Sequence, residues 1–136
     1  AGGGAMASLG VGRERVEWLL SGLGDRAAGV VVAAVNGPAS TVVSGPPGQV
    51  AAVVAVCRDS GERARMIEVD YASHSPQVDG IAGELAEVLG GVEPAGGPQS
   101  GSGVAFYSTV TGGRVDTADL DARYWVRNLR ERVRFA

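Results

Sequence analysis

The strongest constraint on the fold is the alternation of two hydrophobic patterns along residues 5–69. Four short runs rich in small and β-branched residues predict strands, at 5–11, 29–38, 40–45 and 63–70. Apolar residues spaced three and four apart predict two amphipathic helices, at 13–23 and 48–58. The resulting order, βαββαβ, is that of a ferredoxin-like unit. We therefore expect residues 1–70 to form a small ferredoxin-like subdomain.

The pattern changes after residue 70. Ser75 is a good helix N-cap, Pro76 suits a first helical position, and apolar residues then continue at helical spacing to Leu89. Three further features follow: a Gly/Pro/Ser linker at 90–103, a hairpin with its first strand at 104–110 and its turn at 112–113, and a helix at 116–129. Residues 71–136 are therefore expected to form a second region of the α/β type.

The composition limits the class of protein. The 136 residues suffice for one domain or two small subdomains, and the formal net charge of −3 gives no argument for binding nucleic acid or an acidic membrane. No apolar run approaches the ~20 residues that span a bilayer, and the first residues lack a secretory signal, so we expect a cytoplasmic protein. Cys57 is the only cysteine, so neither a disulfide framework nor a metal cluster is expected.

The only histidine, His74, lies between the last strand predicted for the first region and the helix that follows. A histidine at such a junction is either a catalytic base, since α/β enzymes place their chemistry at the carboxyl ends of strands, or a polar turn residue. A base needs a nucleophile, and Cys57 falls on the buried face of a predicted helix, where a packing role is favoured. No serine of the chain lies in a Gly-x-Ser-x-Gly frame. The residues alone leave both interpretations of His74 open.

Several motifs resemble those of one enzyme family. The segments "YASHS" (71–75), "FYSTVTGG" (106–113) and "YWVRNLRERVRF" (124–135) resemble the acyltransferase domain of modular type I polyketide synthases, multifunctional enzymes of antibiotic biosynthesis. Upstream, "GGGAMASLG" and "VVVAAVNGPASTVVSG" look like the ferredoxin-like subdomain of the same domain. The resemblance implies an α+β fold, with a ferredoxin-like βαββαβ subdomain followed by the C-terminal α/β segment of an α/β-hydrolase-like core.

The resemblance also implies acyl transfer by a ping-pong route. In the family, the serine of a Gly-His-Ser-x-Gly motif takes an extender unit from coenzyme A and passes it to the phosphopantetheine thiol of an acyl carrier protein, with a histidine as base. His74 matches that histidine, and a backbone carbonyl at about Arg134 is expected to hold its other ring nitrogen. Asn36 matches a position that borders the cleft, although a turn residue there also suits the end of a strand. No bound cofactor is expected, since acyl-CoA and phosphopantetheine are substrates.

The tetrapeptide formed by Tyr71, Ala72, Ser73 and His74 bears on the substrate. In the family, Tyr-Ala-Ser-His accompanies methylmalonyl units and His-Ala-Phe-His accompanies malonyl units. A serine in place of phenylalanine leaves room for the α-methyl group, but one methyl group decides only ~1–3 kcal/mol in an apolar pocket. We therefore expect methylmalonyl-CoA in preference to malonyl-CoA. The alternative is that Tyr71 and Ser73 are wall residues with little effect on selection.

Two parts of the family's site have no counterpart in this sequence: the motif serine and the arginine downstream of it that pairs with the malonyl carboxylate. The chain by itself is therefore expected to be inactive, with the rest of the acyltransferase, a flanking ketosynthase and linker, and the carrier protein as partners. All twelve basic residues are arginines, and five of them lie in 123–136. These five are interpreted either as a solvated surface or as a contact for an acidic carrier protein. The alternative function is a non-catalytic ferredoxin-like module that binds a carrier protein or a neighbouring domain.

Overall fold

The structure, a computed structural model, describes residues 3–94 and 104–136 of the chain. Its helices and strands are, in chain order, β1 (Ala5–Leu9), α1 (Arg13–Leu23), β2 (Val31–Gly37), β3 (Ser40–Gly45), α2 (Pro47–Asp59), β4 (Ala64–Ile67), α3 (Ala82–Val88), β5 (Tyr107–Ser108), β6 (Gly113–Arg114), α4 (Ala122–Arg130) and β7 (Val133–Arg134). Short 3₁₀ helices lie between some of them, at Gly24–Ala27, Pro76–Gly80, Leu89–Gly91 and Thr117–Asp119.

The first six elements form the predicted βαββαβ unit. Strand β1 pairs antiparallel with both β3 and β4, and β3 pairs antiparallel with β2, which gives the strand order β4-β1-β3-β2. The side chains of β1 alternate between buried and partly exposed, as expected for a strand with one face on the core. Strand β3 is buried over almost its whole length because it lies in the middle of the sheet. The predicted α+β fold class is confirmed.

The main core lies between the sheet and the two long helices. Helix α1 buries Val16 and Leu19. Helix α2 buries the face that was predicted from its spacing, namely Val50, Val53, Val54 and Cys57. Both faces join the inward side chains of β1 in a single hydrophobic cluster. Because a fully buried Val or Leu contributes roughly 1.5–3 kcal/mol, this cluster is the chief stabilising element of the fold.

The main sheet contains a fifth strand that the sequence did not predict. Residues Val133 and Arg134 form β7, which pairs in parallel with Ala34 and Val35 of β2. Val133 packs against a second, smaller cluster that contains Ala34 and lies on the face of the sheet opposite α1 and α2. A strand of two residues carries no detectable periodicity. Its pairing attaches the end of the chain to the sheet of the first region, while the boundary between residues 70 and 71 remains a prediction.

The helix predicted to start at Pro76 is divided in two. Ser75 caps a 3₁₀ helix, Pro76–Gly80, and α3 follows as a separate short helix. Gly80 and Gly83 fall at this division, and glycine is a poor helix former. The predicted N-cap role of Ser75 is confirmed, since its side chain accepts a hydrogen bond from the backbone N–H of Gln77.

The remaining elements are shorter than predicted. The hairpin consists of β5 and β6, with Gly112 at a φ angle of 74° in the turn. The predicted helix at 116–129 is interrupted, because Asp121 starts α4 by accepting a hydrogen bond from the backbone N–H of Tyr124. Of the predicted linker at 90–103, residues 95–103 lie outside the described part of the chain.

Candidate active site

His74 lies in the loop between β4 and the 3₁₀ helix Pro76–Gly80. Its φ angle is 58°, in the left-handed region that residues with a β-carbon rarely adopt. Its backbone N–H donates to the carbonyl of Leu129, near the end of α4, at 2.9 Å. An unfavourable backbone conformation persists only where its surroundings hold it, and such positions cluster at functional sites. The loop around His74 is therefore held in place by α4.

Ser75 closes the same loop from the other side. It is 1% exposed, and its hydroxyl donates to the carbonyl of Ala72 at 2.7 Å. The same oxygen accepts the backbone N–H of Gln77 at 3.2 Å. Because one buried hydroxyl satisfies a carbonyl before His74 and an amide after it, Ser75 fixes the path of the chain on both sides of the histidine.

The ring of His74 is oriented by a backbone carbonyl. Its Nδ1 lies 2.8 Å from the carbonyl oxygen of Glu131. A carbonyl oxygen can only accept a hydrogen bond, so Nδ1 carries the proton, and the neutral ring keeps a lone pair on Nε2. Nε2 has no hydrogen-bond partner among the residues that the structure describes. This is the tautomer that a general base requires.

The prediction that Arg134 supplies this carbonyl is wrong. The carbonyl belongs to Glu131, three residues earlier in the chain. Arg134 lies in β7, where its backbone follows β2 and its N–H donates to the carbonyl of Thr109 at 2.8 Å. The last carbonyls of α4 and the one that follows it have no partner within the helix; that of Leu129 accepts the backbone N–H of His74, and that of Glu131 accepts the ring N–H.

A groove of about 450 Å³ is lined by residues on both sides of His74 in the chain, although His74 itself does not line it. Its lining residues come from the start of the chain, the 71–73 segment, the turn after it and the end of α4: Gly3, Gly4, Asp70, Tyr71, Ala72, Ser73, Gln77, Val78, Ile81 and Leu129. Tyr71 is 55% exposed, Ala72 is 4% exposed and Ser73 is half-buried. The three residues predicted from the sequence to select the substrate therefore share one groove, and His74 follows them directly.

Gly4 makes the closest approach to this segment. A Cβ at position 4 would lie 2.2 Å from the backbone nitrogen of Ala72 and 2.6 Å from its Cβ. By contrast, a Cβ at Gly3 meets nothing within 4 Å. The backbone just before β1 thus packs directly on the 71–74 segment, which only a glycine at position 4 permits.

Two ion pairs surround the end of α4. Arg130 binds Asp79 through two contacts, Nε to Oδ1 at 2.6 Å and Nη2 to Oδ2 at 3.2 Å. The hydrogen bond from Arg130 holds the pKa of the Asp79 carboxyl below its ordinary value. Arg127 binds Glu131 through Nε at 2.7 Å, and this hydrogen bond lowers the pKa of the Glu131 carboxyl. Both carboxyls therefore stay ionised at neutral pH.

The other arginines near the end of the chain are also engaged. Arg123 pairs with Asp121 at 3.1 Å, Arg132 lies 3.8 Å from Glu17 of α1, and Arg134 donates to the carbonyl of Thr111 at 3.4 Å. Partners within the chain favour the solvated-surface interpretation, because each arginine charge that has a carboxylate partner is largely balanced locally.

Asn36 and Cys57 lie away from the groove lined by the 71–73 segment. Asn36 is exposed near the end of β2 and does not line that groove. A larger groove of about 890 Å³ includes its neighbours Val35 and Gly37, yet it contains none of the 71–74 segment. Cys57 is fully buried in the main core, and burial, followed by the nearby charge of Glu62, raises the pKa of its thiol. A buried thiol of raised pKa is a poor nucleophile, so the favoured packing role of Cys57 agrees with its position.

Sequence reasoning missed several contacts at the site. The carbonyls of Leu129 and Glu131 carry no residue-specific signal, because every residue supplies a carbonyl. The pairing of Arg130 with Asp79 joins residues 51 positions apart. Gly4 is one of three consecutive glycines, and nothing in their order distinguishes it from Gly3.

Residues 3–94 and 104–136 contain no helix that is long and apolar enough to cross a membrane. The same residues contain no group of three or more His, Cys, Asp or Glu side chains that could hold a metal ion.

Comparison with known proteins places these features in a family. The family described as "Acyl transferase domain" matches residues 1–136. The chain is 49% identical over 135 residues to mycoketide-CoA synthase of Mycobacterium tuberculosis, covering 99% of this chain and 3% of that protein. It is 47% identical over 136 residues to erythronolide synthase EryA2 of Saccharopolyspora erythraea, covering 100% of this chain and 4% of that protein. The chain thus spans a small fraction of the synthases that it matches.

Solved structures agree. The acyltransferase domain from module 8 of the salinomycin polyketide synthase superposes with a TM-score of 0.86 at 47% identity, covering 99% of this chain and 30% of that one. A loading acyltransferase from the avermectin modular polyketide synthase gives a TM-score of 0.87 at 41% identity, covering 99% of this chain and 41% of that one. Because the family match spans every residue and the fold is shared at high identity, the chain belongs to the acyl transferase domain family, in the form found in modular type I polyketide synthases.

Proposed function

We propose that this chain forms part of an acyltransferase that moves an extender unit from coenzyme A to an acyl carrier protein, with His74 as its general base. The observation that carries the proposal is the hydrogen bond from His74 Nδ1 to the carbonyl of Glu131, at 2.8 Å. This bond leaves Nε2 as the proton acceptor, and the 71–73 segment directly before His74 in the chain lines a groove. A polar residue that merely ended a turn has no need of a backbone carbonyl that fixes the tautomer of its ring.

The chemistry requires a nucleophile from outside this chain. The serine hydroxyl of another part of the acyltransferase attacks the thioester carbon, and Nε2 of His74 takes its proton. The proton then passes to the departing coenzyme A thiol, which leaves an acyl-serine ester. In the second half, Nε2 accepts the proton of the phosphopantetheine thiol, the sulfur attacks the ester, and the proton returns to the serine oxygen. The 136-residue chain alone therefore forms no acyl-enzyme.

We propose methylmalonyl-CoA as the preferred substrate and malonyl-CoA as the weaker one. The support is the small side chain of Ser73 in the groove lined by the 71–73 segment, since a serine in place of phenylalanine leaves space for an α-methyl group. One methyl group is worth only ~1–3 kcal/mol, so this segment biases selection and other wall residues share it. Asn36 stays a proposed cleft residue, and the rest of the acyltransferase, a flanking ketosynthase with its linker, and the carrier protein are the proposed partners.

The test is intact-mass measurement after brief exposure to methylmalonyl-CoA with malonyl-CoA as competitor. The complete acyltransferase domain that includes this chain is compared with its His74→Ala variant and with the isolated chain. We expect a methylmalonyl adduct on the complete domain, strong loss of that adduct in His74→Ala, and no adduct on the isolated chain. An adduct on the isolated chain would reveal a nucleophile within it. No adduct on a folded complete domain would favour a non-catalytic module that binds a carrier protein or a neighbouring domain.

A further inference from the structure

Three consecutive residues, the last two of α4 and the one that follows them, contact His74 or the 3₁₀ helix Pro76–Gly80 that comes after it. The carbonyl of Leu129 accepts the backbone N–H of His74 at 2.9 Å. The carbonyl of Glu131 accepts its ring N–H at 2.8 Å. Arg130, between them, binds the Asp79 carboxylate through two contacts of 2.6 and 3.2 Å. In the chain, Arg130 thus lies between the two residues whose carbonyls hold the histidine.

The geometry of this pair favours orientation over bulk stability. Both partners are partly exposed, with side chains 35% exposed for Arg130 and 60% for Asp79. An ion pair this exposed contributes little to global stability because water and salt screen it. Two parallel contacts between a planar guanidinium and a carboxylate do, however, fix the relative direction of the two groups. Here they fix the end of α4 against the 3₁₀ helix that begins two residues after His74.

We propose that Asp79 and Arg130 are positioning residues for His74. The inference rests on the proposed role of His74 as general base. Any slip of the α4 terminus along the loop displaces both carbonyls together, so the ring tilts and Nε2 leaves the line of proton transfer. General-base catalysis depends steeply on that line, because a misplacement of ~1 Å can lower a rate by as much as ~100-fold. The pair acts through the histidine and touches no substrate atom.

The test uses the complete acyltransferase domain and methylmalonyl-CoA as the probe. Asp79→Asn, Arg130→Gln and the double variant are compared with Arg123→Gln. This control removes the two hydrogen bonds from Arg123 to the Asp121 carboxylate, 3.2 and 3.1 Å long, at the start of the same helix. Arg130→Lys is a further variant, which keeps the charge but replaces the two-point contact by a single one. For each protein the rate of acyl-enzyme formation is measured against substrate concentration, together with the thermal midpoint.

We expect each single variant to lower kcat by about tenfold while KM stays within about twofold. The double variant should fall no further than the singles, since both remove the same contact. Arg130→Lys should fall between wild type and Arg130→Gln, and Arg123→Gln should match wild type. If Asp79 and Arg130 had a purely structural role, their substitution would lower the thermal midpoint without a selective fall in kcat at constant KM.

Three outcomes would overturn the inference: wild-type kcat in both single variants, losses that multiply in the double variant, or an equal loss in Arg123→Gln. If Arg130→Gln fails to fold, Asp79→Asn decides the matter, because it changes only an exposed carboxylate. A wild-type domain that forms no adduct, or a His74→Ala variant of full activity, refutes the proposed function instead. The two failures are therefore distinguishable.

Discussion

Replacing Gly4 with alanine tests how closely the backbone just before β1 packs on the 71–74 segment. The added Cβ would lie 2.2 Å from the nitrogen of Ala72 and 2.6 Å from its Cβ, whereas ordinary contacts of this kind begin at 3.4 Å. The backbone just before β1 and the segment must therefore separate by roughly 1 Å, since neither atom of Ala72 can rotate away. Overpacking of this kind costs ~1–3 kcal/mol.

The same displacement reaches His74, which lies two residues after Ala72. We expect Gly4→Ala to lower the thermal midpoint of the complete acyltransferase domain, by roughly 2–4 °C for each kcal/mol lost. We also expect the rate of acyl-enzyme formation to fall by about tenfold or more, because the base moves with the segment. Differential scanning calorimetry and intact-mass kinetics measure the two effects.

Gly3→Ala is the matched control. It is the adjacent glycine, and its added Cβ meets nothing within 4 Å. A change from glycine to alanine in an unstrained position stabilises by ~0.4–1 kcal/mol through the unfolded state, so Gly3→Ala should be neutral or slightly stabilising. If Gly4→Ala and Gly3→Ala behave alike in both assays, the close packing of the backbone before β1 on the 71–74 segment is refuted.

Three further results are expected. In competition, the double substitution Tyr71→His and Ser73→Phe should raise the malonyl to methylmalonyl adduct ratio by at least about tenfold; an unchanged ratio would make both residues simple wall residues. Cys57 should react with a thiol reagent only upon unfolding, because it is fully buried and burial raises its pKa; rapid reaction of the folded protein would contradict that position. The hydrogen bond from the backbone N–H of Tyr124, and then that from Arg123, lower the pKa of Asp121 from 3.8. Its stabilising contribution is therefore complete above pH 3.8 and is lost as the pH falls through the lower folded-state pKa. The difference in unfolding free energy between wild type and Asp121→Ala should therefore become smaller as the pH falls below 3.8. A difference that does not depend on pH would contradict the stabilising role of the ionised Asp121 carboxylate.

The ferredoxin-like unit could be predicted because its signals are local. Helix α2 presented its apolar residues at helical spacing, and Val50, Val53, Val54 and Cys57 are the residues that it buries. The strand predicted at 63–70 proved shorter, since β4 spans only Ala64–Ile67. It lies at the edge of the sheet, with a single partner strand, so fewer backbone hydrogen bonds extend it.

The elements of residues 71–136 were predicted less well because their local signals are weak. Helix α3 buries no residue, and the hairpin strands are two residues long, so little hydrophobic periodicity defines their bounds. The caps were more informative. Ser75 and Asp121 both accept backbone N–H groups at helix starts, but only Ser75 was identified in advance, because a proline follows it.

The sequence by itself determined the family, the βαββαβ order and His74 as the candidate base, because motifs and periodicity are properties of neighbouring residues. Only the tertiary structure decided which groups hold that histidine. The Glu131 carbonyl lies 57 positions from His74, the Asp79 partner of Arg130 lies 51 positions away, and Gly4 meets Ala72 from the start of the chain. Every residue has a backbone carbonyl, and a glycine has no side chain whose chemistry would indicate a contact. The sequence therefore gives no signal that identifies these carbonyls or this glycine as parts of the site. Their roles arise from the distances that folding sets between remote segments.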